Sequence, residues 1–420
     1  MKIFFISDNI PYKGMASSHK SAWAWVDSFS RNGHEIVLMV DPPSSDISRK
    51  KQLKLMKDIN FKNCKIISIY KKSNKKIKNR SFFNRLMNPQ IKEFYSMCEH
   101  KEVILEIIKK NIDLERPDIL FLYGFPIVYI ASEIKEIPKV APICEDPYDL
   151  YKYYFFEEIW KFNLSFFKRI IKLYKCYRIV KKSLKFFKKC EIHGQITMRY
   201  VENFKRYGAP DTKLVFQPVL DHKFRELRKI KRKYQNNNEK FKIILTGNLS
   251  SRGRAQYNYL YKKILPDLEK KIDIEKIEIH LIGSEYNSDF KGLYEKKYIM
   301  LRGYVQDIEV EYLSSNLIIM PSPAKVGGRV SIAEAMSFGC CILTTIHELG
   351  TLPHLHPNKN ILVAKNHSEF SLMLSKIINK EIIISSIEDN ARNTFVNHFE
   401  SNTVYNKYLK LFNKLKNDRN

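Results

Sequence analysis

The sequence predicts two doubly wound α/β domains facing each other across a cleft. Three observations lead there. The chain opens with an apolar strand, a glycine-containing loop, a helix and a second strand. The same strand, loop and helix rhythm starts afresh near residue 241. A chain of 420 residues with 44% hydrophobic content has enough apolar side chains for two such cores.

In the first half, KIFFIS is a short buried strand, and IPYKGMASS is a loop around Gly14. A helix follows over His19 to Asn32, and Gly33 stops it before the strand EIVLMV. A right-handed crossover then favours a parallel sheet. PDILFLYG reads as a strand entering a loop at Gly124, and KVAPICED as one ending in acids. Ligands gather outside the carboxyl ends of such strands, so the loops at Gly14, Tyr123-Gly124 and Glu145-Asp146 are candidates for one cleft. In the second half, FKIILTGNLSSRGR is a strand running into a polar, basic loop. IEIHLIGSEYN, YIMLRGYV, NLIIMPSP and CCILTT supply four more strands, with helices between them. No sequence repeat links the halves; the architecture repeats. The junction falls near His193, giving domains at 1–195 and 196–399.

The apolar opening is too short for a secretory signal, and no apolar run approaches the length of a membrane-spanning helix. The 7 cysteines are scattered without a CxxC or His/Cys cluster, which argues against a disulfide frame or a zinc site and fits a reducing cytoplasm. The net charge of +28 is concentrated in two segments. Residues 49–85 hold fourteen Lys/Arg and one acid, and residues 161–189 hold eleven and none. The second segment interleaves Phe166, Phe167, Ile170, Tyr174 and Phe186 with its bases. That is a basic amphipathic pattern suited to an anionic membrane surface, with a polyanion such as nucleic acid or a merely solvated face as alternatives. The absence of an RNA-recognition or helix-turn-helix signature speaks against nucleic acid. The wealth of lysine, isoleucine and asparagine fits a low-GC bacterium.

One stretch carries the chemistry, KVGGRVSIAEAMSFGCCIL at 325–343. Gly327 and Gly328 let a ligand approach the main chain, and the free amides of the helix start at Arg329 and Val330 favour an anion. Glu334 sits among Ala333, Ala335 and Met336, where a carboxylate needs a partner. A ribose diol offers two O–H donors to it. A solvated carboxylate or one paired to a lysine is the alternative.

The order of these motifs resembles the GT-B-fold retaining glycosyltransferases of family 4, the glycosyl transferases group 1. SFSRNGHEIVLMV is similar to their first helix end, TGNLSSRG to their phosphate loop, and LRGYVQDIEVEYLSSNLIIMPSP to the segment before the donor motif. GGRVSIAEAMSFGCCILTT resembles the donor motif itself, and HFESNTVYNKYLKLFNKL the terminal helix. The resemblance implies two Rossmann-like domains, with residues 400–420 crossing back to the first.

It also implies that Glu334 binds the nucleotide ribose. Gly247, Arg254, Gly327, Gly328, Arg329, Val330 and Gly14 are then donor-binding residues. Arg252 would stabilise the leaving diphosphate with its bidentate fork. Asp146 and Asp149 in ICEDPYDLYK are carboxylates for the donor sugar or the acceptor, or simply a capped turn. We place Asp146 with Arg252 in the catalytic set, and Asp149 with Tyr123 on the acceptor side. Two positions depart from the family: Val326 replaces the first motif glutamate, and Asn248 replaces the loop arginine. The expected activity is transfer from a nucleotide sugar to a lipid-linked or cell-surface glycan. It needs no cofactor beyond that co-substrate and, without a suitably placed DxD, no metal. The expected location is cytoplasmic, at the inner face of the cell membrane. The alternatives are a basic polyanion binder on an α/β scaffold and an inactive nucleotide-binding subunit.

Overall fold

A computed structural model describes residues 1–8, 10–12, 17–40, 59–69, 101–143, 170, 174, 177, 181, 184–221, 240–247, 251–283, 286–305, 307–323 and 330–417. The first seven strands are β1 Lys2–Ser7, β2 Glu35–Val40, β3 Cys64–Ser68, β4 Ile119–Tyr123, β5 Lys139–Ile143, β6 Ile192–Gln195 and β7 Lys213–Leu214. They form one sheet in the order β3-β2-β1-β4-β5-β6-β7. The next six are β8 Phe241–Thr246, β9 Ile277–Ile282, β10 Ile299–Gly303, β11 Leu317–Met320, β12 Ile342–Thr345 and β13 Leu362–Ala364. Their order is β10-β9-β8-β11-β12-β13. The neighbouring strands pair in parallel in both sheets.

Parallel sheets are covered on both faces, so their strands read as continuous apolar runs instead of alternating. Ile3 to Ile6 and Ile36 to Val40 are all 0% exposed. In each sheet the chain enters at a central strand, moves out to one edge, and returns to the other flank of its starting strand. Both sheets thus have a topological switch point, at β1/β4 and at β8/β11. The loops leaving those four strands are where an open α/β sheet takes its ligand.

The helices that bear on the cleft are α1 Ser17–Arg31, α2 Phe125–Ala131, α3 Met198–Arg206, α4 Ser251–Tyr259, α5 Ile308–Ser314, α6 Val330–Ser337, α7 Ser385–His398 and α8 Ser401–Asn417. The first domain extends beyond the boundary expected at 195. β7 adds to the first sheet, and Phe204 on α3 is fully buried in that sheet's core. The reason is geometric: β6 and β7 need a crossover, and α3 supplies it. The chain changes domain between Val215, in the first core, and Val219, in the second. It returns beside that point, where the Val219 amide donates to the Phe399 carbonyl at 2.9 Å. α8 then packs on α1. Trp25 meets Tyr408 edge to face at 4.9 Å, and His34 Nε2 lies 2.6 Å from the Tyr405 hydroxyl. Burying an aromatic such as Phe412 there contributes about 1.5–3 kcal/mol.

Around the two crossings lies a stack of rings. His354 and His398 are parallel at 3.7 Å, Phe216 lies flat on His354 at 5.8 Å, and the Lys407 ammonium sits 4.4 Å over Phe216. Burial and the His354 ring push His398 down to about 4. Burial also lowers His354, so both imidazoles favour the neutral form at pH 7.

Candidate functional site

The rim of the second sheet begins with three glycines at strand ends. Gly247 follows β8 with φ 148°, and its amide donates to the Ile282 carbonyl at 2.9 Å. Gly283 follows β9 with φ 89° and donates to Gly303 at 2.6 Å. A Cβ on Gly283 would come to 3.5 Å from the Gly247 backbone, so the two turns lie against each other. Positive φ at these strand ends favours glycine.

Behind this terrace is a buried polar chain. Gln256 on α4 donates to Ser322 at 3.1 Å, and Ser322 donates to Glu348, which is 0% exposed. Thr345 donates to the Ser322 carbonyl at 2.6 Å. Helix α4 and the segments after β11 and β12 are thereby tied together, because polar groups in a dry interior must find each other.

Glu334 projects from α6 at this rim. Ile332, Ala333, Ala335 and Met336 around it are buried in the second core, which fixes the helix and leaves the carboxylate at the cleft. Its partner is Lys20 on α1 of the first domain, with Nζ 2.6 Å from Oε1. The two residues are 314 positions apart in sequence. Beneath lies Tyr312, fully buried beside Thr246 and Glu334. Burial, and then the Glu334 carboxylate, push its phenol far above its ordinary range. Tyr312 is a neutral, buried floor beneath the carboxylate.

The first sheet's rim faces this one. Asp8 follows β1, and Gly124 follows β4 with φ 115°. A Cβ on Gly124 would fall 2.2 Å from Asp8 Oδ1, so the glycine makes room for that carboxylate. Ser21 donates to Gln217 at 3.0 Å, and Gln217 donates to the Tyr123 hydroxyl at 3.3 Å. These bonds join the start of α1, the domain crossing and the end of β4.

The sequence-predicted residues divide into three groups. Glu334, Gly247 and Val330 stand at the rim, Val330 as the first residue of α6. One expectation needs correction. Tyr123 is 1% exposed and stacks on Phe5, so it is a core residue and presents no surface to an acceptor. Arg254 pairs with Asp289 at 2.6 Å, and both side chains remain part exposed. Gly14, Asp146, Asp149, Asn248, Val326, Gly327, Gly328 and Arg329 lie outside the described residues, and of Arg252 only the helical backbone is described. Sequence reasoning missed Asp8, Lys20, Gln217, Tyr312, Ser322 and Glu348. Of these only the H-E pair at 347–348, directly after an apolar strand, offered a signal.

Comparison with known proteins supports this picture. Residues 240–380 match the family model of the glycosyl transferases group 1. No curated protein matches the chain. Among solved structures, sucrose-phosphate synthase from Thermosynechococcus elongatus superposes with a TM-score of 0.69 at 13% identity, covering 99% of each chain. Anabaena Alr3699/HepE in complex with UDP and glucose superposes with a TM-score of 0.60 at 12% identity, covering 98% of this chain and 99% of that one. The lipopolysaccharide outer core galactosyltransferase WaaB, in its apo form, gives 0.55 at 16%, covering 99% of this chain and 100% of that one. Residues 240–380 are thus a glycosyl transferases group 1 domain, and the chain that carries it is a glycosyltransferase of GT-B fold.

Proposed function

We propose that the protein moves a sugar from a nucleotide sugar to a lipid-linked or cell-surface glycan, with retention of configuration and without a metal ion. The observation that carries this reading is Glu334, held by a packed helix at the second switch point and turned to the opposite domain. A ribose diol donates two hydroxyls to that carboxylate, a charge-assisted pairing stronger than neutral hydrogen bonds. The diphosphate then falls by the start of α6 and the glycine terrace, where main-chain amides and the helix dipole stabilise the charge that builds as the anomeric bond breaks. The leaving phosphate takes the acceptor's proton, as in the family this chain resembles, so no strong protein base is needed.

The UDP and glucose complex of the Anabaena neighbour supports a nucleotide-sugar donor, and the lipopolysaccharide galactosyltransferase neighbour supports a glycan acceptor. A peripheral position on the inner membrane face rests on the basic segments 49–85 and 161–189. Most of both segments lies outside the described residues; in the second, Ile170, Tyr174, Lys181, Lys185, Lys188 and Lys189 are exposed. Among the described residues no helix is long and apolar enough to cross a membrane.

Thermal melting with UDP, GDP, ADP, TDP and CMP tests the donor reading. At about a hundred times its dissociation constant a ligand adds roughly 2.7 kcal/mol, enough to move the melting point by several degrees. One nucleotide should do so in the wild type and fail in Glu334→Ala. No shift with any of the five, or an undiminished shift in the variant, overturns the assignment.

A further inference from the structure

We propose that Tyr312 is a positioning residue for the donor: its phenol donates a hydrogen bond to the Glu334 carboxylate from below and sets it to receive the ribose diol. This rests on the donor reading above. Among the described residues the Tyr312 and Thr246 hydroxyls are both buried, and neither makes a hydrogen bond. Buried hydroxyls are costly to leave unpaired, so a pair of them under the site calls for an acceptor.

Beside the Tyr312 hydroxyl stand Thr246, at the end of β8, and Glu334 on α6. Burial keeps the phenol protonated, so it has a hydrogen to donate. Of the two neighbours the carboxylate is the stronger acceptor, because charge assists the bond. Thr246 then donates to the phenol oxygen, and a relay from Thr246 through Tyr312 to Glu334 satisfies both hydroxyls. The rest of Tyr312 is already fixed. Its ring lies flat on Phe338, at 5.0 Å and 13°, and its carbonyl accepts from the Cys340 thiol at 3.4 Å. Phe338 directly follows α6, so the helix that carries Glu334 also seats the ring. Packing fixes the backbone at Glu334 and leaves its side-chain torsions free. The phenol restrains them before the ligand arrives, which lowers the cost of binding. An ionised carboxylate has about four lone-pair sites, so the diol, the phenol and Lys20 can be served together.

Isothermal titration and thermal melting of the full-length protein test this, with Tyr312→Phe as the variant. It removes the hydroxyl and keeps the stacked ring. The probes are the five nucleotides named above and, for the one bound best, its 2′,3′-dideoxy form, which lacks the diol. We expect Tyr312→Phe to bind that nucleotide about tenfold more weakly than the wild type, near the low end for a hydrogen bond to a charged group. Without ligand it should melt no lower. Removing the diol should then weaken binding by a smaller factor in Tyr312→Phe than in the wild type, because part of the diol's contribution has already gone. A residue that only packs would leave that factor unchanged. Equal affinity in the two proteins, or an undiminished diol effect in the variant, overturns the positioning role. If Glu334→Ala loses the nucleotide in the same series, the donor reading stands and the positioning role alone falls. A wild type that binds none of the five refutes the donor reading, and the positioning role with it.

Discussion

Strand β8 has a carboxylate near each of its ends, and the two are satisfied in opposite ways. Toward the start of the strand, Glu311 on α5 is met by Lys242 at 2.9 Å, Arg302 at 3.1 Å and His280 at 3.6 Å. His280 and Lys242 hold its carboxyl down at about 2, against burial that pushes it up. At 3.6 Å the His280 contact is longer than a hydrogen bond, so Lys242 is the tighter partner. All of these groups belong to the second domain. Beyond the other end of the strand, Glu334 has its cation on the first domain. Glu311 is neutralised within its own domain, and Glu334 across the cleft.

The largest effect should come from removing Glu311. Glu311→Ala leaves Lys242 buried with Ser314 as its remaining hydroxyl partner, at 2.7 Å, and should cost the second domain about 3–5 kcal/mol. Denaturant unfolding followed by far-ultraviolet dichroism reads this loss, and a cost below about 1 kcal/mol would erase the contrast between the two carboxylates. The next effect is its pH dependence. A carboxyl whose folded pKa of about 2 lies below its unfolded value of 4.5 contributes stability that is complete above about pH 4.5 and lost as the pH falls toward 2. Wild-type stability should therefore drop steeply through that window, and the Glu311→Ala profile should be flatter there. The smallest effect belongs to the other carboxylate: Glu334→Ala should change stability by less than about 1 kcal/mol, because Lys20 is part exposed and water takes over its charge. Should Glu334→Ala prove as costly as Glu311→Ala, Glu334 is a structural residue.

Much of the fold was legible because buried parallel strands are apolar throughout, and IFFI, IVLM, ILFLY and IIL announce themselves. β6 (IHGQ), β7 (KL) and β13 (LVA) are short or polar, and neighbouring strands decide them. β3 hides inside a lysine-rich segment, where Lys65 pairs with Glu115 and surrenders part of the charge read there as a surface patch. Glu334 was legible because a carboxylate between alanines and a methionine is out of place. Lys20 was not, since one lysine among 73 Lys+Arg carries no signal and its partner is 314 positions away. Tyr123 misled because a tyrosine at a strand end looks like a rim residue, while its ring lies flat in the core.

The two links between the domains touch. Had they been set far apart, the line through them would have fixed a rotation axis; joined by the Val219–Phe399 hydrogen bond, they form one pivot, with the Phe216, His354 and His398 rings packed around it. Points near a pivot travel least in any rotation about it. The Ser21–Gln217 bond stands beside this one, so the start of α1 is the part of the first rim whose place relative to the second domain such a rotation changes least.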